Sequence, residues 1–143
     1  MSASLLPESS PGLLLWRVTL QWQRRITAVL KPLGLTHVQF VLLTSVWWLT
    51  SEGGEQPSQR RVAEFAGTDV MMTSQVLRTL EEKHLVERHT DPNDGRSKIL
   101  TVTSAGSDLA KRAVQEVEAT DAAFFSPTDT AAVLALLHQL DRP

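Results

Sequence analysis

A chain of 143 residues, 42% hydrophobic and 21% charged, has the length and apolar content for one folded domain with a real core. Cysteine is absent, which excludes disulfides, thiolate metal sites and cysteine redox chemistry, and no apolar run approaches the roughly 20 residues that cross a bilayer. The net charge of −2 does not advertise a polyanion binder: residues 58–98 hold 7 Lys+Arg against 7 Asp+Glu, leaving 7 against 9 elsewhere.

Residues 1–11, with their Ser, Pro and Glu, read as a flexible lead-in ahead of a single domain over 12–143. The Leu13–Trp16 run is short, lacks a basic segment before it and continues into Arg17, so a cytoplasmic location is expected rather than export. Leu15, Val18, Trp22, Ile26, Val29 and Leu33 recur at spacings of three and four, which predicts a long amphipathic helix ending near Pro32-Leu33-Gly34. Thr36 and Gln39 have the spacing of a capping box ahead of a second helix carrying Val38, Val41, Leu42, Val46 and Leu49, which stops before the 51–57 loop. Ser58 caps a short third helix with Val62, Phe65 and Ala66 inward. Gly67-Thr68 breaks it, and Asp69 caps the next helix, whose Thr73, Val76, Leu77 and Leu80 face inward. Two helices joined by so tight a turn make a helix-turn-helix.

Residues 86–90 and 98–102 are strand-like, separated by Asp91-Pro92-Asn93-Asp94-Gly95, which is turn chemistry. Thr103 opens a long helix containing Leu109, Ala113, Val114 and Val117. Ser126-Pro127-Thr128-Asp129 caps a last one, with proline at its first position, carrying Val133, Leu134, Leu136, Leu137 and Leu140.

If Thr73, Val76, Leu77 and Leu80 are buried, the same helix presents Met71, Ser74, Gln75 and Arg78 outward. Arg pairs with guanine O6 and N7, Gln with adenine N6 and N7, and Ser with a base edge or a phosphate. A solvated polar face would have the same composition, but a hairpin tipped with Arg96 and Lys98 follows directly. An Arg so carried suits a narrow minor groove, where the potential is most negative, with Asp94 holding it by a charge-assisted hydrogen bond.

The run from Val62-Ala63 through Gly67, the helix to Leu85-Val86-Glu87-Arg88, the segment Asp91 to Lys98 and Val102-Thr103-Ser104-Ala105-Gly106 together resemble the MarR family of transcription regulators. The family's wing pattern, Asp-x-Arg and then Leu-Thr before the next helix, is matched by Asp94, Arg96 and Thr103, with Val102 in place of Leu. The resemblance covers about residues 12 to 141. It implies a mainly α winged helix-turn-helix fold with one β-hairpin wing, a DNA-binding lobe at about 56–103, and N- and C-terminal dimerisation helices at about 12–34 and 104–142. It implies a homodimeric repressor on a pseudo-palindromic double-stranded operator, released by a small aromatic or phenolic ligand, and not an enzyme. Ser74, Gln75 and Arg78 would then read bases, while Ser58, Gln59, Arg60, Arg61 and Lys98 hold phosphate. Arg96 would probe the minor groove, and Thr68 and Thr73 would be extra contacts. Two positions depart from the family. His84 stands where glycine is common after the recognition helix, which puts a left-handed C-cap in doubt. Met71-Met72 replaces small polar residues, so reading there would rest on apolar contact, such as with thymine methyls.

Trp16, Trp22, Phe40, Trp47 and Trp48 put aromatic bulk on the first two helices, where His37 or Arg88 could complete a pocket for an aromatic carboxylate; the same rings could equally fill core and dimer contacts. His37, His84, His89 and His138 share no metal-ligand spacing, no nucleophile–base pattern or phosphate loop is present, and no cofactor is expected. Two other functions fit these residues: a winged-helix module that docks on protein, or a small-molecule binder that does not touch DNA.

Overall fold

The computed structural model describes residues 6–142, so residues 1–5 of the expected lead-in lie outside it. Residues 7–11 of that segment are structured: a 3₁₀ turn spans Pro7–Ser9, and Ser10 caps α1 (Pro11–Leu30) by accepting from the Leu13 N–H. The α1 stripe is buried only towards its C-terminal end, at Ile26 and Leu30, and a 3₁₀ turn over Lys31–Leu33 carries the chain out. Leu15 and Val18, expected on the same stripe, are exposed.

Thr36 and Gln39 form the full capping box at the start of α2 (His37–Trp47). This helix is the hub of the fold, packing on α1 and on α3 (Gln59–Ala66), α4 (Val70–Glu82) and α5 (Ser104–Phe124). Its buried Thr44 and Ser45 hydroxyls donate back to the Phe40 and Val41 carbonyls, so neither is left unpaired in the core. The helical path runs into the expected loop as a π-helical turn over Trp48–Glu52.

Ser58 and Asp69 cap α3 and α4 as their spacing requires, accepting from the Arg61 and Met72 N–H groups. Between the two helices Gly67 takes φ 74°, a left-handed conformation that favours glycine. On α3 the buried pair is Val62 and Ala63; Phe65, expected inward, is exposed, on the face turned away from α2, α4 and β2, against which this helix of 8 residues packs.

After α4 the chain turns through a complete Schellman motif, with His84 N–H bonded to Glu81 O at 2.9 Å and Leu85 N–H to Leu80 O at 3.0 Å. The left-handed cap is kept: His84 itself takes φ 61°. Strands β1 (Val86–Asp91) and β2 (Asp94–Val102) form an antiparallel hairpin. Thr103 caps α5 through the Gly106 N–H. At the end of the chain Asp129 caps α6 (Thr130–Leu140), so Pro127 sits in the preceding turn and not at the helix start. No α6 residue is buried. Among the described residues, no single helix is long and apolar enough to cross a membrane.

Candidate nucleic-acid interface

Two elements converge on one side of the lobe formed by α3, α4 and the hairpin. Helix α4 buries Thr73, Leu77 and Leu80, which turns Met71, Gln75 and Arg78 outward with Ser74 half-buried between them. Residues 71, 74, 75 and 78 have the i, i+3, i+4, i+7 spacing of one helical stripe. The hairpin base is fixed beside α3 by the Leu100 N–H to Pro57 O bond of 2.9 Å and a bridge between Ser58 and Ile99. Arg88 on β1 completes the brace, donating to Gln59 at 2.9 Å and lying 3.6 Å from Glu81 of α4.

The hairpin tip is irregular in a way that matters. Thr90 pairs with Lys98, but the next residue, Asp91, pairs with Asp94 instead of Ser97. Gly95, Arg96 and Ser97 therefore bulge from the ladder, and such bulges re-aim side chains. Asp94 accepts from the Arg96 backbone N–H at 3.1 Å, not from its guanidinium as expected from sequence. The Asp94 carboxylate shapes the turn, and the exposed Arg96 guanidinium has no ion-pair partner among the described residues.

Gln59, Arg60, Val70, Thr73, Arg96, Ser97 and Lys98 line an open cleft of about 430 Å³ between the wing and the two helices. Three of these are cations and none is an acid, although residues 58–98 as a whole sum to zero charge. Carboxylates around the cleft are paired with arginines: Glu55 with Arg61 and Glu81 with Arg88, both away from its lining, and Glu64 with Arg60 at 3.7 Å on its edge. The Arg61–Glu55 pair is a two-point fork at 3.1 and 3.2 Å, and the hydrogen bonds from Arg61 hold the Glu55 carboxyl below its usual range and raise the guanidinium in turn.

Thr73 cannot be an outward contact. It is 0% exposed, and its hydroxyl bonds Asp69 O at 2.7 Å and the Thr68 hydroxyl at 2.6 Å, which also turns Thr68 into the fold. Val70 and Ser97 belong to the cleft and are invisible in the sequence pattern, where Val70 reads as an ordinary apolar helix position.

Residues 35–98 match the MarR family sequence profile. The HTH-type transcriptional regulator YdcH of Bacillus subtilis is 44% identical over 120 residues, spanning 84% of this chain and 81% of its own. The chain belongs to the MarR family. The HTH-type transcriptional repressor Rv2887 of Mycobacterium tuberculosis is 37% identical over 118 residues, covering 82% of this chain and 81% of that one. Among solved structures, CouR of Rhodococcus jostii bound to p-coumaroyl-CoA aligns at TM-score 0.81 and 28% identity, over 94% of this chain and 92% of that chain. A mutant of Escherichia coli MarR complexed with operator DNA aligns at TM-score 0.81 over 99% of both chains, which at 21% identity shows the shared winged-helix fold. This chain is thus a DNA-binding transcriptional regulator of the MarR family.

The aromatic set of this MarR-family chain divides into separate places. Trp22 donates from Nε1 to Asp121 of α5 at 2.8 Å and meets the His37 ring edge-on, with centroids 5.0 Å apart. Burial lowers the His37 imidazole below its ordinary value, and the Asp121 carboxylate opposes this. Phe40 is core. Trp47 and Trp48 lie 6.0 Å apart at the end of α2, and Trp47 Nε1 is buried without a hydrogen-bond partner among the described residues. Trp16 is 64% exposed on the free end of α1. Arg88 does not join them, because Gln59 of α3 and Glu81 of α4 hold it.

Proposed function

We propose that this MarR-family regulator is a homodimeric repressor of a pseudo-palindromic operator, placing α4 in the major groove and the wing in the flanking minor groove of each half-site. The observation that carries the reading is the acid-free cleft, with Arg60, Arg96 and Lys98 beside the outward face of α4. Arg78, Gln75 and Ser74 read bases. Ser58, Gln59, Arg60 and Lys98 hold phosphate, and Arg61 joins them by exchanging Glu55. Arg96 enters the minor groove, its bulge shaped by Asp94, while half-buried Thr68 sits behind the contact surface. Names of relatives support repression.

The second subunit has an apolar surface to meet. The free end of α1 exposes Leu13, Leu14, Leu15, Trp16 and Val18, and α6 exposes Leu134, Leu136, Leu137 and Leu140. Contiguous exposed apolar faces of this kind mark interaction surfaces, and dimerisation would bury them. A small aromatic ligand is the proposed releasing signal, supported by the p-coumaroyl-CoA complex of CouR and by the Trp22–His37–Asp121 junction between α1, α2 and α5.

The test is fluorescence anisotropy with a duplex selected from a random library, comparing wild type with Arg96→Ala. The variant should lose about 1–3 kcal/mol of binding. Unchanged affinity would remove the wing from the interface. A DNA complex must also weaken steeply with rising salt through counterion release, whereas a protein-docking module has no such requirement.

A further inference from the structure

The first turn of α4 carries no side-chain hydrogen-bonding group on its outer surface. Val70 is 67% exposed and Met71 74% exposed, and the N-cap Asp69 is already engaged by the Met72 N–H at 2.7 Å. Neither residue serves the core, which α4 reaches through Thr73, Leu77 and Leu80. Val70 lines the same cleft as Arg60, Arg96 and Lys98, and Met71 begins the stripe that continues through Ser74, Gln75 and Arg78. Val70 therefore stands exposed in a cleft lined by three cations and no acid, and Met71 stands exposed beside it at the next position of α4. A protein partner matched to that surface would need to be acidic and apolar together. Duplex DNA supplies both at once: phosphates for the cations and, in the major groove, the C5-methyl group of thymine, the one apolar feature on a base edge.

We propose that Val70 and Met71 determine operator specificity by packing on thymine C5-methyl groups, so that each half-site is read by apolar contact at the α4 N-terminus and by hydrogen bonds from Gln75 and Arg78 further along. The inference rests on the DNA-reading role proposed above for α4. Methionine suits such a contact, because its unbranched, polarisable side chain adapts to a methyl group without needing a fixed partner geometry.

Deoxyuridine differs from thymidine only by that methyl, which isolates the contact. The probe is a duplex selected from a random library by the full-length wild-type protein, with each thymine replaced in turn by deoxyuridine. At one or two thymines per half-site the wild type should lose affinity about fourfold, the value of one buried methyl group. Met71→Ala, a change at an exposed position that leaves the core untouched, should bind the thymine duplex more weakly and no longer distinguish it from the deoxyuridine duplex at one of those sites. Val70→Ala should do the same at the other. A selected duplex that tolerates deoxyuridine at every position would overturn the methyl readout while leaving DNA binding intact. So would a Met71→Ala protein that keeps the wild-type discrimination throughout. Failure to select any duplex would remove the DNA-reading role itself, and the methyl readout with it.

Discussion

His84 and Gly106 are two backbone positions that decide how the wing leaves the helix. His84 holds φ 61° without a glycine's freedom, because the Schellman bonds and the Thr103 hydroxyl, which donates to the His84 carbonyl at 2.7 Å, fix the turn around it. A left-handed conformation costs a residue with a Cβ about 1–2 kcal/mol, and the greater unfolded-state freedom of glycine takes back roughly 0.5–1 kcal/mol. His84→Gly should therefore stabilise the protein by about 0.5–1 kcal/mol in urea denaturation. A destabilised variant would mean that the imidazole contributes something the exposed geometry does not reveal. Gly106 is the opposite case. A Cβ there would lie 1.9 Å from the Leu85 carbonyl oxygen, a backbone atom that Thr103 also uses to dock the start of α5. Gly106→Ala should cost about 3 kcal/mol, near the upper end for overpacking, and show as a lowered urea midpoint. Wild-type stability in that variant would disprove the close approach.

At the level of elements, α1, α2 and α5 meet where Trp22, His37 and Asp121 touch. Burial is the larger influence on His37 and lowers its pKa, so the unfolded chain takes up a proton before the folded one does. The stability this group contributes is complete above its ordinary value of 6.5 and is lost as pH falls through the lower folded value. Thermal midpoints between about pH 7 and pH 5 should fall less in His37→Gln than in wild type; equal slopes would show that His37 is not the titrating group. The wing follows a different logic. Its two strands are held by ordinary pairing, and the bulge at Gly95-Arg96-Ser97 frees Arg96 from the ladder while the base stays tied to Pro57 and Ser58. A stiff base with a re-aimed tip lets one arginine project without loosening α4.

For the whole molecule, the decisive feature is that α6 has no buried residue while carrying four exposed leucines. Burying a leucine is worth about 1.5–3 kcal/mol, so several from each subunit would amply favour association. Leu136→Glu with Leu140→Glu should give a monomer by sedimentation equilibrium and abolish operator binding, because a half-site alone supplies only half of the contacts. Far-UV circular dichroism should retain the helical lobe of α2 to α5. A dimer that persists in this variant would place the subunit contact elsewhere.

Local chemistry is readable from residue order: the Thr36–Gln39 capping box, the Ser58, Asp69 and Thr103 caps and the hairpin each depend on residues within a few positions of one another. The outward stripe Met71, Gln75 and Arg78 is equally legible, since helical periodicity fixes which residues oppose Leu77 and Leu80. Distant partners are not. Periodicity cannot say which flank of a short helix meets its neighbour, so it puts Phe65 in the core, where the fold exposes it, whereas it turns Thr73 inward, as the fold does, against the contact role that the family resemblance implies. Nor can it say that Arg88 is held by Gln59 and Glu81, or that Asp94 bonds the Arg96 backbone. The clearest case is charge. Composition sums residues 58–98 to zero, and only three-dimensional packing places the carboxylates of that stretch outside a cleft whose charged lining is Arg60, Arg96 and Lys98. Electrostatic potential depends on distance through space, and distances across a fold are set by the packing of elements far apart along the chain.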